Sequence, residues 1–358
     1  MLARTLLPLL ALALCLPTAF AQVPAGETAV TYRVTQTVTL TDIGAKAHSV
    51  RMWVAVPDED RHQDLLDFEV TGAPTAWTLV EDADRRGRFV YFEAIDPGRD
   101  SLDLEVTFTL RREPSLTAVD PATTGVISPA LRSLLEEYLR LDSPHMEVTP
   151  ALKKRADEVC GKETNIAVQV AKLLDHVADS VDHYSKDPTK PRCGVGDARA
   201  CLEQGGGCCT DLHSLFIAMA RARGIPARLQ MGYRLLEKNV GKTVDPGYRC
   251  WVEYFVPGHG WVGADIVEAD ATAGLGRDRW FRGLTARRLH LNEGRDFVFG
   301  PEFKGKPVNH MSIAYAEIDG KPARILPEGE LAPQISRRVH FDEITSPRSA
   351  ALTTASMR

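Results

Sequence analysis

The first third of the chain alternates hydrophobic and polar residues with a period of two. The alternation runs through residues 30–40, 50–56 and 102–110, and clusters of turn-forming residues separate the runs. Neighbouring side chains of a strand point to opposite faces, so the pattern predicts strands with one buried face. Short strands of this kind, separated by turns, are typical of an antiparallel sandwich. We therefore predict a β-sandwich over residues 22–114, with a supporting or recognition role.

The period changes after a linker at residues 114–128. Ser128-Pro129 and Thr149-Pro150 each combine an N-cap residue with a proline at the first helical position. From about Thr164 the apolar residues recur at helical spacing, which predicts an amphipathic helix that packs on a core. Alternating runs then predict further strands near residues 228–236, 248–256, 261–266, 287–291, 296–299 and 311–318. The chain is thus predicted to be α+β, with a second domain over residues 128–342 in which helices pack on an antiparallel sheet.

The segment Gly205–Arg228 joins a glycine-rich loop to a helix and places Cys209 at the junction. The glycines allow a tight turn, while Thr210 and Asp211 suit the first turn of a helix. Free N–H groups and the helix dipole favour a thiolate at such an N-terminus. Cys209 is therefore a predicted nucleophile.

The first 21 residues have the pattern of an export signal peptide. Arg4 supplies a positive charge, residues 6–16 are apolar, and Ala19-Phe20-Ala21 forms a small-x-small cleavage site. The apolar run is too short to span a bilayer, so no stable membrane span is predicted. We expect export to the periplasm or to the outside of the cell. The polar segment 343–358 is expected to be a disordered tail.

Composition narrows the classes of partner and cofactor. The formal net charge of −5 argues against nucleic acid, and the hydrophobic content of 44% is ordinary for a globular protein. No spacing of Cys and His fits a familiar metal signature, so neither a metal nor another cofactor is predicted. Export permits disulfides, and we single out Cys160–Cys193 as a candidate pair. Beyond the signal peptide the cysteines are Cys160, Cys193, Cys201, Cys208, Cys209 and Cys250.

Five separated motifs give the chain a resemblance to the transglutaminase-like superfamily, over about residues 164–321. The match is closest to secreted bacterial members, which have a β-rich domain ahead of the core. The superfamily shares the papain-type layout of Cys, His and Asp, which implies a papain/transglutaminase-like core here. The motifs are Gly207-x-Cys209-Thr-Asp211 with His213–Phe216, RARGIPAR, Cys250-Trp-Val-Glu253, Gly260-Trp-Val with Asp265, and Gly294-Arg-Asp296.

In this family a thiolate attacks an amide or ester carbonyl, a histidine transfers the proton, and an aspartate orients the histidine. By position the resemblance implies Cys209 as the nucleophile and Asp265 as the orienting acid. The family histidine precedes the strand tryptophan by two residues, and this chain has Arg249 there. Arginine keeps its protons at any relevant pH and cannot act as the base. Loss of proton transfer alone lowers a rate by ~10²–10⁴.

His213 is the nearest substitute in the sequence, because it lies four residues beyond Cys209 on the same helix face. Family members that keep the strand histidine have this residue too, which favours a packed structural role. The leading hypothesis is therefore an exported pseudoenzyme with a degraded triad, a non-catalytic binding or scaffold module for protein or peptide. The alternative is an active cysteine acyltransferase or protease that cleaves amide bonds through Cys209, with His213 or a water in the proton path.

Overall fold

A computed structural model of the chain describes residues 27–344, apart from residues 85, 141–142, 193–194, 273–275, 302, 312–313 and 326–330. The predicted signal peptide at 1–21, the end of the predicted tail and Cys193 lie outside the described residues. Residues 343 and 344 belong to the last strand, which ends at Ile344. The boundary predicted at residue 343 is therefore too early.

The N-terminal strands follow the alternation in the sequence. In the first strand Tyr32, Val34, Val38 and Leu40 are fully buried, and the residues between them are partly or fully exposed, apart from buried Gln36. One face of the strand is thereby committed to a core. The strands of this part are β1 (Val30–Leu40), β2 (Ser49–Val56), β3 (Gln63–Thr71), β4 (Thr78–Glu81), β5 (Arg88–Ile95), β6 (Leu102–Arg112) and β7 (Ser115–Leu116).

The helices of the middle part begin at capping residues. Ser128, Thr149 and Asn165 each accept a backbone N–H with the side chain, and proline follows the first two. Both predicted Ser/Thr-Pro helix starts are thus confirmed. The elements are α1 (Pro129–Leu134), α2 (Pro150–Cys160), α3 (Ile166–Ser180), β8 (Asp182–His183), α4 (Ala198–Gln204), β9 (Gly206–Gly207) and α5 (Cys209–Ala222).

The last part of the chain is rich in strands. The strand predicted at 261–266 ends at Ala264, because Asp265 caps a short helix that begins at Ile266. The elements are β10 (Ala227–Arg234), β11 (Lys242–Val244), β12 (Arg249–Val256), β13 (Gly260–Ala264), α6 (Ile266–Asp270), α7 (Arg277–Phe281), β14 (Gly283–Leu284), β15 (Arg288–Glu293), β16 (Ala314–Ile318), β17 (Lys321–Pro322) and β18 (Ile335–Ile344).

Two five-stranded antiparallel sheets form the sandwich, in the orders β11-β18-β1-β6-β3 and β17-β16-β2-β5-β4. The C-terminal strand β18 pairs with β1 along its whole length, and β16 pairs with β2. A linear boundary that assigns residues 314–342 to the second domain is therefore wrong. Without these strands, β1 and β2 would each become an edge strand with unpaired backbone N–H and C=O groups.

A separate four-stranded antiparallel sheet, β13-β12-β10-β15, supports the second core. Helix α5 packs against one face of this sheet, and its residues 209–221 are all buried. Helices α2 and α3 cover α5 from the other side, with Leu152, Leu173 and Leu174 in the same core. This arrangement of helices on an antiparallel sheet beside a β-sandwich confirms the predicted α+β class. No helix of the described residues is long and apolar enough to cross a membrane.

Candidate active site

A loop of two glycines positions the start of α5. Gly206 has φ of +153°, and a Cβ there would meet the carbonyl oxygen of Asp182 in β8. A Cβ on Gly207 would lie 2.6 Å from Oδ2 of Asp211. Both positions therefore need glycine, because the backbone passes too close to its neighbours for any side chain. The close approach fixes Cys209 as the first residue of the helix, as the sequence predicted.

Asp211 caps the N-terminus of α5. Its Oδ2 accepts the N–H of Cys208 at 2.8 Å, and its Oδ1 accepts the N–H of Asp197 at 3.1 Å. This satisfies one of the orphan N–H groups at the N-terminus and ties the preceding loop to the helix. Burial and the neighbouring Cys208 raise the pKa of Asp211 to about 7.

The thiol of Cys209 points into a cluster of sulfur atoms. It is hydrogen-bonded to the thiols of Cys208 and Cys250, and only 4% of the residue is exposed. These hydrogen bonds and burial raise the pKa of Cys209 well above its ordinary value. This shift opposes the thiolate that the helix dipole favours at Cys209, and the predicted thiolate stays a prediction.

His213 lies between Cys250 and the backbone of α6. Its Nδ1 is 3.3 Å from Sγ of Cys250, and its Nε2 accepts the N–H of Ile266 at 3.1 Å. Accepting that N–H requires a lone pair on Nε2, so the ring is neutral and carries its proton on Nδ1. Burial alone would raise the pKa of Cys250, but hydrogen bonds from Cys209 and His213 lower it to about 6. The imidazole N–H that faces the cluster is thus directed at Cys250.

Asp265 is held by a buried ion pair and by a helix cap. Its Oδ2 lies 2.6 Å from the guanidinium of Arg288, and its Oδ1 accepts the N–H groups of Val267 and Glu268. Oδ1 is also 3.8 Å from Nε2 of His213. Burial favours the neutral acid, yet the Arg288 charge keeps the pKa of Asp265 below its ordinary value.

Arg249 begins β12 and is half-buried. Its guanidinium donates to the carbonyl of Tyr248 at 3.4 Å, and its charge acts on His183 and Glu268. The ion-pair partner of Asp265 is Arg288, not Arg249. Cys209, Arg249 and Asp265 thus lie around one end of α5, linked through Cys250 and His213, without the direct contacts of a Cys-His-Asp triad.

Two aromatic residues near the cysteines were missed by the sequence analysis. His183 in β8 pairs in register with Gly207, and its Nδ1 lies 2.7 Å from Oγ of Ser185. The hydroxyl of Tyr248 lies 2.9 Å from Oγ1 of Thr210. A two-residue strand such as β8 has no periodicity, so no signal in the sequence could have placed His183 here.

Arg295, from the Gly294-Arg-Asp296 motif, fixes the loops beside the helix. It is fully buried, and its guanidinium donates to the carbonyl of Gly196, Oγ of Ser214 and Oδ1 of Asn309. These three partners come from the loop before α4, from α5 and from the segment after β15. Arg295 therefore positions the surroundings of the cysteine cluster.

The cysteines of the described residues are free thiols, namely Cys160, Cys201, Cys208, Cys209 and Cys250. Cys193, the predicted partner of Cys160, lies outside the described residues, so that pairing stays a prediction. Within the described ranges, no group of three or more His, Cys, Asp and Glu residues is arranged to hold a metal ion.

Residues 153–266 match the family model of the transglutaminase-like superfamily. The match includes the helix start at Cys209, the strand with Arg249, and Asp265. It confirms the resemblance on which the site residues were chosen.

Two further similarities extend over most of the chain. A Haemophilus influenzae protein without an assigned function is 27% identical over 324 residues, which cover 81% of this chain and 86% of that protein. The structure of a candidate cysteine protease from Cytophaga hutchinsonii is 16% identical, with a TM-score of 0.59, and the alignment covers 90% of this chain and 93% of that one. At this identity the structural likeness establishes the fold alone.

The periplasmic domain of TgpA from Pseudomonas aeruginosa is a more remote structural match. It is 20% identical, the alignment covers 66% of this chain and 94% of that chain, and the TM-score is 0.31.

Proposed function

The chain contains a transglutaminase-like domain with the papain-type fold, and from that premise we propose that the domain binds a protein or peptide without turning it over. In this proposal the protein is an exported pseudoenzyme whose Cys-His-Asp triad is degraded at Arg249. The β-sandwich supports the domain, and the whole protein acts as a binding or scaffold module.

The observation that carries the proposal is the arginine at the position of the family histidine. A guanidinium cannot accept the proton of Cys209 or return one to a leaving amine. The side chain donates to a backbone carbonyl at 3.4 Å, while the carboxylate of Asp265 is paired with Arg288 at 2.6 Å. Neither contact provides a base next to the thiol.

The state of Cys209 supports the same conclusion. The thiolate is the nucleophile in acyl transfer, and hydrogen bonds and burial raise the pKa of this thiol. The side chain is also buried, with 4% of the residue exposed. Attack on an amide would need both deprotonation and a change in the surroundings of the sulfur.

His213 does not provide a substitute base. Its Nε2 takes the N–H of Ile266, and its Nδ1 faces Cys250 rather than Cys209. Moving a proton through this ring would break the backbone hydrogen bond at the start of α6, which costs about 1–3 kcal/mol for a buried donor left unpaired. The packed role is therefore favoured over the rescue role.

One observation favours the alternative of an active cysteine acyltransferase or protease. His183 is buried beside the nucleophile loop, close enough to Cys208 and Arg249 for both groups to act on its ring. Burial, the largest effect, lowers the pKa of this histidine, so the ring is neutral and able to accept a proton near neutral pH. The alternative would use Cys209 with a proton path through His183 or a water.

Turnover separates the two functions. The chain from Gln22 onwards is incubated with fluorogenic peptide amides and with casein plus a labelled primary amine. We expect no hydrolysis or amine incorporation above that of the Cys209→Ala variant. A rate that Cys209→Ala abolishes would overturn the proposal in favour of the active enzyme.

A gain of activity tests the assignment of the degraded position. Arg249→His restores an imidazole, and Arg249→Gln is the matched control that removes the charge without adding a base. We expect amide hydrolysis only in the histidine variant, and only while Cys209 is present. A folded Arg249→His variant without any gain contradicts the assignment of residue 249 as the position that was lost.

Binding is measured separately, as retention of the protein on immobilised casein peptides. The wild type and Cys209→Ala are expected to bind equally, because binding in this proposal does not use the thiol. Failure of both proteins to bind peptides would refute the binding function while leaving the inactivity intact.

The proposed export rests on the N-terminal pattern. Sequencing the N-terminus of protein recovered from a periplasmic or extracellular fraction should give a chain that starts at Gln22. Recovery of the intact N-terminus from the cytoplasm alone would contradict export.

A further inference from the structure

Three thiols from two elements meet at the start of α5. Cys208 and Cys209 belong to the helix N-terminus, and Cys250 is the second residue of strand β12. Cys209 is hydrogen-bonded to the other two, and Sγ of Cys250 also lies 3.7 Å from Oγ1 of Thr210. The proposed function uses none of the sulfur chemistry that such a group allows.

The sulfur atoms of the cluster have different polar neighbours. The Nδ1–H of His213 points at Cys250 from 3.3 Å, whereas the hydroxyl of Tyr248 lies 4.0 Å from Sγ of Cys208. An N–H donor directed at a sulfur favours a thiolate there, and the pKa of Cys250 is lowered to about 6 although burial opposes it. The thiol of Cys209 remains protonated beside it. The pair thus contains one nucleophilic sulfur and one neighbouring thiol.

We propose that Cys250 and Cys209 are a redox-active pair, which a hydroperoxide converts into a disulfide that joins β12 to α5. The inference does not depend on whether Cys209 also attacks amides. It assigns a covalent modification to a side chain, Cys250, that the transglutaminase-like chemistry leaves unused.

The reaction proceeds in two balanced steps. The Cys250 thiolate attacks one oxygen of hydrogen peroxide, the O–O bond breaks, and the leaving hydroxide takes up a proton to become water. The sulfur of Cys209 then attacks the sulfenic sulfur of Cys250, the S–O bond breaks, and the released hydroxide takes the Cys209 proton as a second water. Two thiols and one peroxide thereby give one disulfide and two waters.

Geometry selects this pair among the three thiols. Cys208 and Cys209 are adjacent in the chain, and a disulfide between neighbours strains the bond. Cys209 is in contact with Cys250, and a small oxidant is suited to thiols that are 4% and 1% exposed. The product closes a loop of about 40 residues, so it constrains the unfolded chain as well as the site.

The test is oxidation of the full mature chain with hydrogen peroxide, followed by thiol counting in denaturant and peptide mapping by mass spectrometry. The wild type is expected to lose two thiols and the mass of two hydrogens, with the new cross-link between the peptides that contain residues 209 and 250. A cross-link to Cys208 instead, or sulfenic and higher acids without any cross-link, would overturn the proposal.

Variants identify the role of each sulfur. Cys209→Ser is expected to stop at a sulfenic acid on Cys250, and Cys250→Ser is expected to lose the fast reaction with peroxide. Cys160→Ser is the matched control, because Cys160 is a buried thiol outside the cluster whose pKa is raised by burial. A Cys250→Ser variant that still reacts as fast as the wild type contradicts the assignment. If either serine variant fails to fold, the peptide map of the wild type decides.

Discussion

The helix side and the strand side of the site are stabilised in different ways. On the helix side, Gly206, Gly207 and the Asp211 cap fix Cys209 through backbone contacts within a few residues. On the strand side, Asp265 depends on a buried guanidinium from a distant strand. The helix side therefore depends on local contacts, whereas the strand side depends on long-range ones and has Arg249 at the position where the resemblance expects a histidine.

The difference is compatible with the proposed degradation of the triad at Arg249 without loss of the fold. Arg249 lies at the half-buried start of its strand, where the charge remains partly solvated. The carboxylate of Asp265 needs no positive charge at position 249, because it is already paired with Arg288 at 2.6 Å. The catalytic role and the structural role of the strand side thus fall on different residues.

The largest loss of stability is expected from Arg288→Met. The change leaves the Asp265 carboxylate buried without its cation, and breaking a buried pair on one side destabilises by about 3–5 kcal/mol. Urea unfolding followed by circular dichroism measures the loss. The double variant Arg288→Met with Asp265→Asn should recover part of it, and a single variant that loses less than ~1 kcal/mol would show that the strand side does not depend on this pair.

A smaller loss is expected on the helix side from Gly207→Ala. The new methyl group would lie 2.6–2.7 Å from three atoms of the Asp211 side chain, so the cap must move. Overpacking of this kind costs about 1–3 kcal/mol. Gly125→Ala is the control, because its nearest neighbour is 3.4 Å away and its φ is not positive. Equal stability of the two variants would contradict the tight glycine loop.

The sequence predicts the helix side well, because its determinants are local. Alternation, N-caps and the glycine loop place β1, α2 and the start of α5 without any knowledge of their partners. The same method fails for β18, because nothing in the polar alternation of residues 335–344 indicates that they pair with the first strand of the chain. Pairing across some 300 residues depends on the free edge of β1, and a local sequence pattern carries no information about so distant a partner.

The strand side was predicted only in part. Position identified Arg249 and Asp265, but the partner of Asp265, Arg288, comes from another strand and has no signature of its own. The sulfur cluster was missed for the same reason. No local pattern indicates a partner for Cys250, and only the packing of β12 on α5 brings it to Cys209.

A pH dependence of stability is the next effect in size. The pKa of Asp211 is raised to about 7 in the folded protein, above its value in the unfolded chain. Between about pH 4 and pH 7 the unfolded carboxyl is therefore ionised while the folded one keeps its proton, and stability falls as the pH rises. Asp211→Asn lacks this contribution, and other groups titrate alike in both proteins.

The measurement is the free energy of unfolding of wild type and Asp211→Asn at about pH 5 and about pH 8. The difference between wild type and variant should shift against the wild type at the higher pH. A constant difference would mean that Asp211 is ionised throughout and that the helix dipole, rather than burial, controls the cap.

The smallest change in the free energy of unfolding is expected from Arg249→Met. The guanidinium is half-buried and its hydrogen bond, to the adjacent carbonyl, is long at 3.4 Å. Its removal should therefore change the free energy of unfolding by no more than about 0.5 kcal/mol, as for an ordinary surface substitution. Set beside Arg288→Met, the result distinguishes an arginine that stabilises the fold from one that only occupies the place of a catalytic base. A loss comparable to that of Arg288→Met would show instead that Arg249 stabilises the fold.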